Sequence, residues 1–271
     1  MLAPLAPRRT GALPSLAGHR RLRSARLRTS RPAVRSAAIV PRESGPRLPE
    51  ASGKPAFLAQ QASRFLRENR RRPFVLYVNF LEPHMPFTGP RDDQYDPHGV
   101  PLPGNYDALP TEAQPLKTRL FQQGYHEMGF GGLELRDREH WRQLIARYWG
   151  LCSLVDTHTG SILRTLDECG LSESTIVVYT SDHGDMMGSH RLLAKCVMFE
   201  EALRVPLLIR LPGQRTPHQI PGVVSQVDLV PTMLDFLEQP IPDHLQGKSL
   251  RSEIEARGAR QPADEIFAEW N

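Results

Sequence analysis

Apolar and polar positions alternate with two different periods along this chain, and the change of period marks its elements. Phe57, Leu58, Ala62, Phe65 and Leu66 recur at helical spacing, which predicts a helix closed by Asn69 and the basic run at 70–72. After Pro73, the stretch Phe74-Val75-Leu76-Tyr77-Val78-Asn79-Phe80 is a nearly continuous apolar run, the pattern of a buried parallel strand. Residues 81–90 then form a loop at its C-terminal end, and residues 91–136, with their Pro, Gly and Asp, read as a long irregular insertion. Trp141, Leu144, Ile145, Tyr148, Leu151 and Val155 make one stripe of a long helix over 137–168, with a break allowed near Asp156 to Gly160 and Gly170 as its C-cap. Residues 175–180 are β-branched and apolar, a second buried strand, and 205–211 a third. A short helix follows over 228–238, with Pro231 suited to its first turn, and 266–270 begin what reads as another strand.

Helix and strand in alternation predict an α/β fold, a mostly parallel sheet sandwiched by helices. In such sheets chemistry gathers at the C-terminal ends of strands. Two polar motifs stand there, Glu82-Pro83-His84 after the first strand and Ser181-Asp182-His183-Gly184-Asp185 after the second.

Charge divides the chain in two. The 271 residues carry a formal net charge of +4, but the first 48 hold eleven Arg and one Glu, so that the remainder is acidic. The segment 1–54 reads as a basic, low-complexity tail that cannot bury enough apolar surface to fold, and 55–271 as a partial catalytic domain. The tail has no continuous apolar core of a secretory signal, while its Arg-rich, acid-poor mixture also suits an organellar transit peptide or a misassigned start. Its Arg residues lack interleaved aromatics and any nucleic-acid-binding motif, and the acidic body has no broad basic face, so a nucleic-acid partner is not expected. No stretch approaches the length of a membrane span. The odd count of three cysteines, Cys152, Cys169 and Cys196, matches neither a zinc site nor a disulfide framework. Free thiols suit a reducing compartment, and the cytoplasm is the default location.

The candidate chemistry has bland counterparts. Asp182 beside His183, followed by a glycine that lets the backbone approach a ligand, suits a divalent cation; the same residues also make an ordinary capped turn. Asp185 and His190 are nearby polar residues that read as loop positions. Lys195, twelve residues after His183, could reach back to neutralise an oxyanion or simply sit in solvent. His84, framed by Pro83 and Pro86, is held as a proton donor must be, or caps a strand end.

Taken together these stretches resemble the sulfatase family. Residues 74–87, FVLYVNFLEPHMPF, look like the strand and His-bearing loop of that family, and residues 180–190, TSDHGDMMGSH, like its second metal motif. Lys195, then residues 199–209, FEEALRVPLLI, residues 228–235, DLVPTMLD, and residues 246–250, QGKSL, follow in family order. Four ordered motifs over about residues 55–271 make a specific signal. The resemblance implies an alkaline-phosphatase-like α/β hydrolase that cleaves sulfate esters, with relatives that cleave phosphonate or phosphate monoesters. It implies that Asp182 and His183 bind a divalent metal, calcium first and manganese or magnesium as alternatives. It also implies that Lys195 contacts the sulfate, and that His84 lies near the leaving-group oxygen. The expected substrate is a sulfate-ester small molecule or a sulfated sugar.

The family also uses an acidic pair on an N-terminal strand, a Cys or Ser in a C-x-P-x-R motif that becomes formylglycine, and a Gly-Lys-Trp-His segment. None occurs in these 271 residues: Cys152, Cys169 and Cys196 each lack Pro at +2 and Arg at +4. The expectation is therefore an incomplete sulfatase domain, a hydrolase by descent that does not turn over as this chain. The alternatives are a non-catalytic fragment or pseudoenzyme, and a phosphonate or phosphate monoester hydrolase relative.

Overall fold

The computed structural model describes residues 49–256, together with Ile266 and Ala268. The predicted tail, apart from residues 49–54, and most of the strand predicted over 266–270 lie outside the described residues.

Two helices form the backbone of the fold. Helix α1, Lys54–Asn69, opens with Pro55, whose fixed φ suits a first turn. Small buried residues on one face, Ala59, Ala62 and Ser63, let it approach helix α3, Arg138–Glu168. The contact is sealed by Thr165, whose hydroxyl donates to Ser63 Oγ at 3.1 Å, and by Arg67, which donates to the same hydroxyl at 3.4 Å. Helix α3 begins where Asp137 accepts from the amide of Glu139 at 2.9 Å, an N-cap. It ends where Gly170 takes φ +70° and the amide of Leu171 returns to Leu166 O at 3.1 Å. It runs unbroken through 156–160, so the break allowed there is absent: the i to i−4 ladder needs no help from side chains at those positions.

Between these helices the insertion is less irregular than its composition predicts. Residues 91–136 contain helix α2, Leu116–Met128, stopped by Gly129 at φ +68°. The rest of the insertion folds over α3: Val100, Tyr106 and Leu135 join Phe87, Trp141, Leu144, Ile145, Leu151 and Leu154 in the largest buried cluster. Trp141 is fully buried, and its indole N–H donates to Leu135 O at 2.8 Å, which satisfies the one polar atom it takes out of water.

The sheet departs from expectation. Among the described residues the ladder is two-stranded and antiparallel, pairing β1, Val177–Thr180, with β2, Leu207–Arg210, in a register that sets Val177 opposite Arg210 and Thr180 opposite Leu207. The mostly parallel sheet is not formed within residues 49–256. Residues 74–80 are extended and alternate between half-buried and exposed, but carry no ladder. Phe74 and Leu76 pack with Leu66, Leu166 and Val177, while Val75 and Tyr77 are 89% and 86% exposed. The physical reason is that an apolar run specifies an extended, half-buried segment, whereas a strand exists only when a neighbour takes its amides and carbonyls. For the same reason β1 is not buried on both faces as predicted: Val178 and Tyr179 face outward. The helix predicted over 228–238 is a 3-10 turn, Gln226–Asp228, leading into Leu229–Phe236.

Candidate active site

Glu82-Pro83-His84 follows the extended segment 74–80, and Ser181–Asp185 follows β1. Residues 81–90 turn off the 74–80 segment, with the amide of His84 bonded to Leu81 O at 3.0 Å. The imidazole Nδ1 lies 2.9 Å from Met85 O. A carbonyl only accepts, so Nδ1 carries the proton and Nε2 keeps its lone pair. That lone pair meets Lys195: Nζ donates to His84 Nε2 at 2.8 Å. The structure thus joins the two residues assigned to the sulfate side, one exposed and one half-buried.

Lys195 reaches His84 from an unusual loop. Residues 185–196 leave β1 by way of Ser181–Gly184 and include Met187, His190, Arg191, Ala194 and Cys196, all at positive φ, a region that L-residues rarely occupy. Asp185 accepts from the amides of Met187 and Ala194, both at 3.0 Å. Burial pushes its carboxyl above the usual range, while those two amides, Lys195 and His183 pull it back. The insertion grips the outer side of the loop. Asn105 O accepts from His190 N at 3.3 Å, its Nδ2 donates to Glu201 at 2.6 Å, and Asp107 pairs with Arg191 at 2.8 Å. His190 stacks on Phe199, with ring centroids 4.2 Å apart, and is a scaffold residue.

Asp182 and His183 occupy the turn directly after β1. His183 Nδ1 lies 2.8 Å from Gly184 O, so the proton sits there and Nε2 is left as a lone-pair donor. Nε2 is 3.4 Å from Asp182 Oδ2, on a side chain 83% exposed. A neutral imidazole nitrogen beside a carboxylate oxygen is a donor set that fits a divalent cation. Among the described residues no group of three or more His, Cys, Asp and Glu side chains comes together as a cation cage. The turn is fixed from behind. Gly184 donates to Ala202 O at 2.9 Å, and a Cβ on it would meet Glu201 O at 1.9 Å, so only glycine fits there.

Sequence reasoning missed Gln226. Its Nε2 donates to Ser181 O at 2.5 Å and to Asp182 O at 3.3 Å, bracketing the candidate metal residue. Gln226 is itself presented by a capping box in which Ser225 N donates to the buried Asp228 at 3.1 Å. Asp228 also accepts from Lys248 N at 3.0 Å, which ties in the QGKSL segment. A glutamine acting on carbonyls leaves no signature in side-chain pattern, and a capping box ahead of it was the only legible sign.

The family model described as Sulfatase matches residues 29–239. The chain is 31% identical over 214 residues to the multifunctional alkaline phosphatase superfamily protein PehA of Trinickia caryophylli, covering 75% of this chain and 42% of that protein. It is 30% identical to the arylsulfatase K of Canis lupus familiaris, covering 78% of this chain and 41% of the relative. Among solved structures, the phosphonate monoester hydrolase of Silicibacter pomeroyi superposes with a TM-score of 0.69 at 30% identity, over 80% of this chain and 44% of its own. The chain thus spans about two-fifths of the length of the relatives it matches. With the family model covering most of its residues, and the His84, Asp182–His183 and Lys195 motifs in one region of the fold, the chain belongs to the sulfatase family, within the alkaline-phosphatase-like superfamily.

Proposed function

We propose that this chain carries the anion-holding and part of the cation-holding side of a sulfuric ester hydrolase site. Lys195 and His84 grip the tetrahedral anion, and Asp182 with His183 supply two donors to a divalent cation, calcium first and manganese or magnesium as alternatives. The observation that carries the reading is the 2.8 Å contact of Lys195 Nζ with His84 Nε2. Two groups that both favour anions face each other, and an oxyanion entering between them gains a hydrogen bond from each once His84 is protonated. His84 protonated at Nε2 is then placed to give its proton to a departing ester oxygen.

A bound cation would polarise the ester and activate a nucleophile. The turn residues do the rest: Gly184 O holds the His183 tautomer, and Gln226 holds the backbone that carries Asp182. The family nucleophile is a formylglycine, and the C-x-P-x-R motif that yields it is absent from these 271 residues. For the chain as given we therefore propose binding without turnover, a pseudoenzyme or a fragment of a hydrolase. The substrate class is a sulfate ester, a small molecule or a sulfated sugar. A phosphonate or phosphate monoester is the second reading. It is favoured by the 30% identity to the phosphonate monoester hydrolase, and an ammonium beside an imidazole does not tell these tetrahedral anions apart.

The test uses the whole chain with calcium and with manganese, followed by calorimetry, and then with p-nitrophenyl sulfate and the phenyl monoester of a phosphonic acid. Expected are a cation site lost in Asp182→Ala and in His183→Ala, and no release of nitrophenol or phenol. Cation binding untouched by both substitutions contradicts the metal assignment, and His84-dependent turnover contradicts the absence of a nucleophile.

A further inference from the structure

We propose that Asp185 is a positioning residue: one of its carboxylate oxygens closes the loop that presents Lys195 to His84, and it acts through its geometry as an acceptor. This rests on the reading of Lys195 and His84 as the anion site. Asp185 Oδ1 takes two amide hydrogens at once, from Met187 at the start of the loop and Ala194 at its end, each at 3.0 Å. Neither amide has a backbone acceptor among the described residues.

The loop needs such a clasp. Met187, His190, Arg191 and Ala194 lie at φ 33°, 55°, 53° and 61°, conformations disfavoured for residues with a side chain. Its internal backbone bonds are few: Met186 N to Ala194 O at 2.8 Å and Gly188 N to Leu192 O at 2.9 Å cross it, with short turns between. Met186 and Leu192 anchor it in one apolar cluster, and Met187 and Leu193 in another. Those anchors fix the middle of the loop. Its end is fixed at Ala194, one residue before Lys195, where the amide meets Asp185 and the carbonyl meets Met186 N. Release of that amide leaves Ala194 held by its carbonyl alone and loosens the backbone that aims the ammonium, whereas the strand and the apolar anchors stay in place.

Asp185 also sits within electrostatic reach of Lys195 and His183, so a direct effect of its charge is the competing explanation. Three variants of the full chain separate the two, with inorganic sulfate as the probe and its affinity read by calorimetry. Asp185→Asn keeps an oxygen acceptor of the same reach and loses the charge. Asp185→Glu keeps the charge and displaces the oxygen. Lys195→Ala removes the anion contact. We expect Asp185→Asn to bind sulfate within about twofold of the unaltered chain, and Asp185→Glu to bind about tenfold more weakly, the effect of losing one charge-assisted hydrogen bond. Exchange of the Met187 and Ala194 amides should be slow in the unaltered chain and in Asp185→Asn, and fast in Asp185→Glu; this readout holds for any variant that folds. Sulfate binding by Asp185→Glu equal to that of the unaltered chain overturns the proposal, as does Asp185→Asn as weak as Lys195→Ala. Undiminished sulfate binding by Lys195→Ala overturns the anion site itself, an outcome told apart because the amide exchange still reports the clasp.

Discussion

Lys195 Nζ lies 2.8 Å from His84 Nε2, across 111 positions of sequence. Neither residue has a carboxylate within ion-pair distance among the described residues. On the proposed reading, this ammonium beside an imidazole is where an oxyanion would sit. The contact joins the loop after residues 74–80 to the loop after β1, so the site is assembled by tertiary structure and not by any single motif.

The turn after β1 depends on Gln226. Substitution Gln226→Leu keeps the size of the side chain and removes the N–H groups that reach Ser181 O and Asp182 O. Calcium affinity should fall about tenfold, the usual cost of losing a group that orients a metal ligand. The melting temperature should change little, because Gln226 is exposed. Calorimetric titration beside a thermal melt checks both halves. An unchanged calcium affinity would show that Asp182 is held without Gln226.

Glu50 anchors the start of the described fold to the insertion. Its carboxylate takes two hydrogen bonds from Arg91, at 2.8 and 2.5 Å. The guanidinium holds the carboxyl of Glu50 below its ordinary value of 4.5. A carboxyl with a lowered folded-state pKa stabilises fully above its unfolded value, and loses that contribution as pH falls through the folded one. Unfolding by urea should therefore show a gap between the unaltered chain and Glu50→Gln that is constant above about pH 5.5 and closes as the pH drops below Glu50's ordinary value. A gap that persists unchanged at pH 3 would mean that the pair contributes through packing alone.

Residues 74–80 form an extended segment with apolar side chains on both faces and no ladder. Val75 and Tyr77 project outward, 89% and 86% exposed, an invitation to edge-to-edge association. The double substitution Val75→Thr, Tyr77→Thr should raise the saturation concentration of the chain severalfold, while unfolding free energy shifts by no more than about 0.5 kcal/mol, as for other surface changes. Sedimentation at rising concentration and a urea titration test this. A loss of several kcal/mol would show that these side chains are packed in solution.

How much of this was legible beforehand follows from what each residue's role depends on. Helices α1 and α3 were readable because Leu66, Trp141, Leu144 and Leu151 repeat at the helix's own period, a local property. Helix α2 was not: Leu116 and Leu120 are exposed, so no apolar stripe announces it among prolines and glycines. The run at 74–80 predicts a buried parallel strand, but it is extended without a ladder and exposed on one face, because a ladder depends on a neighbour that side-chain pattern cannot specify. At the site, His84, Asp182, His183 and Lys195 were visible as residue types in family order. The pairing of His84 with Lys195 was not, because it is set by the path of the loop over 185–196. Asp185 and Gln226 act on backbone amides and carbonyls, roles that side-chain type does not announce, and the Ser225–Asp228 capping box beside Gln226 is the one legible sign.

The account is tested most directly by titrating the whole chain with sodium sulfate at pH 6.0 and following the ring signals of His84 by NMR. An anion seated between Lys195 and His84 predicts a saturable shift of the His84 ring that disappears in Lys195→Ala and leaves the rings of His98 and His140 unmoved. A His84 ring that does not respond to sulfate, or responds equally in Lys195→Ala, would contradict the anion site on which the proposed function stands.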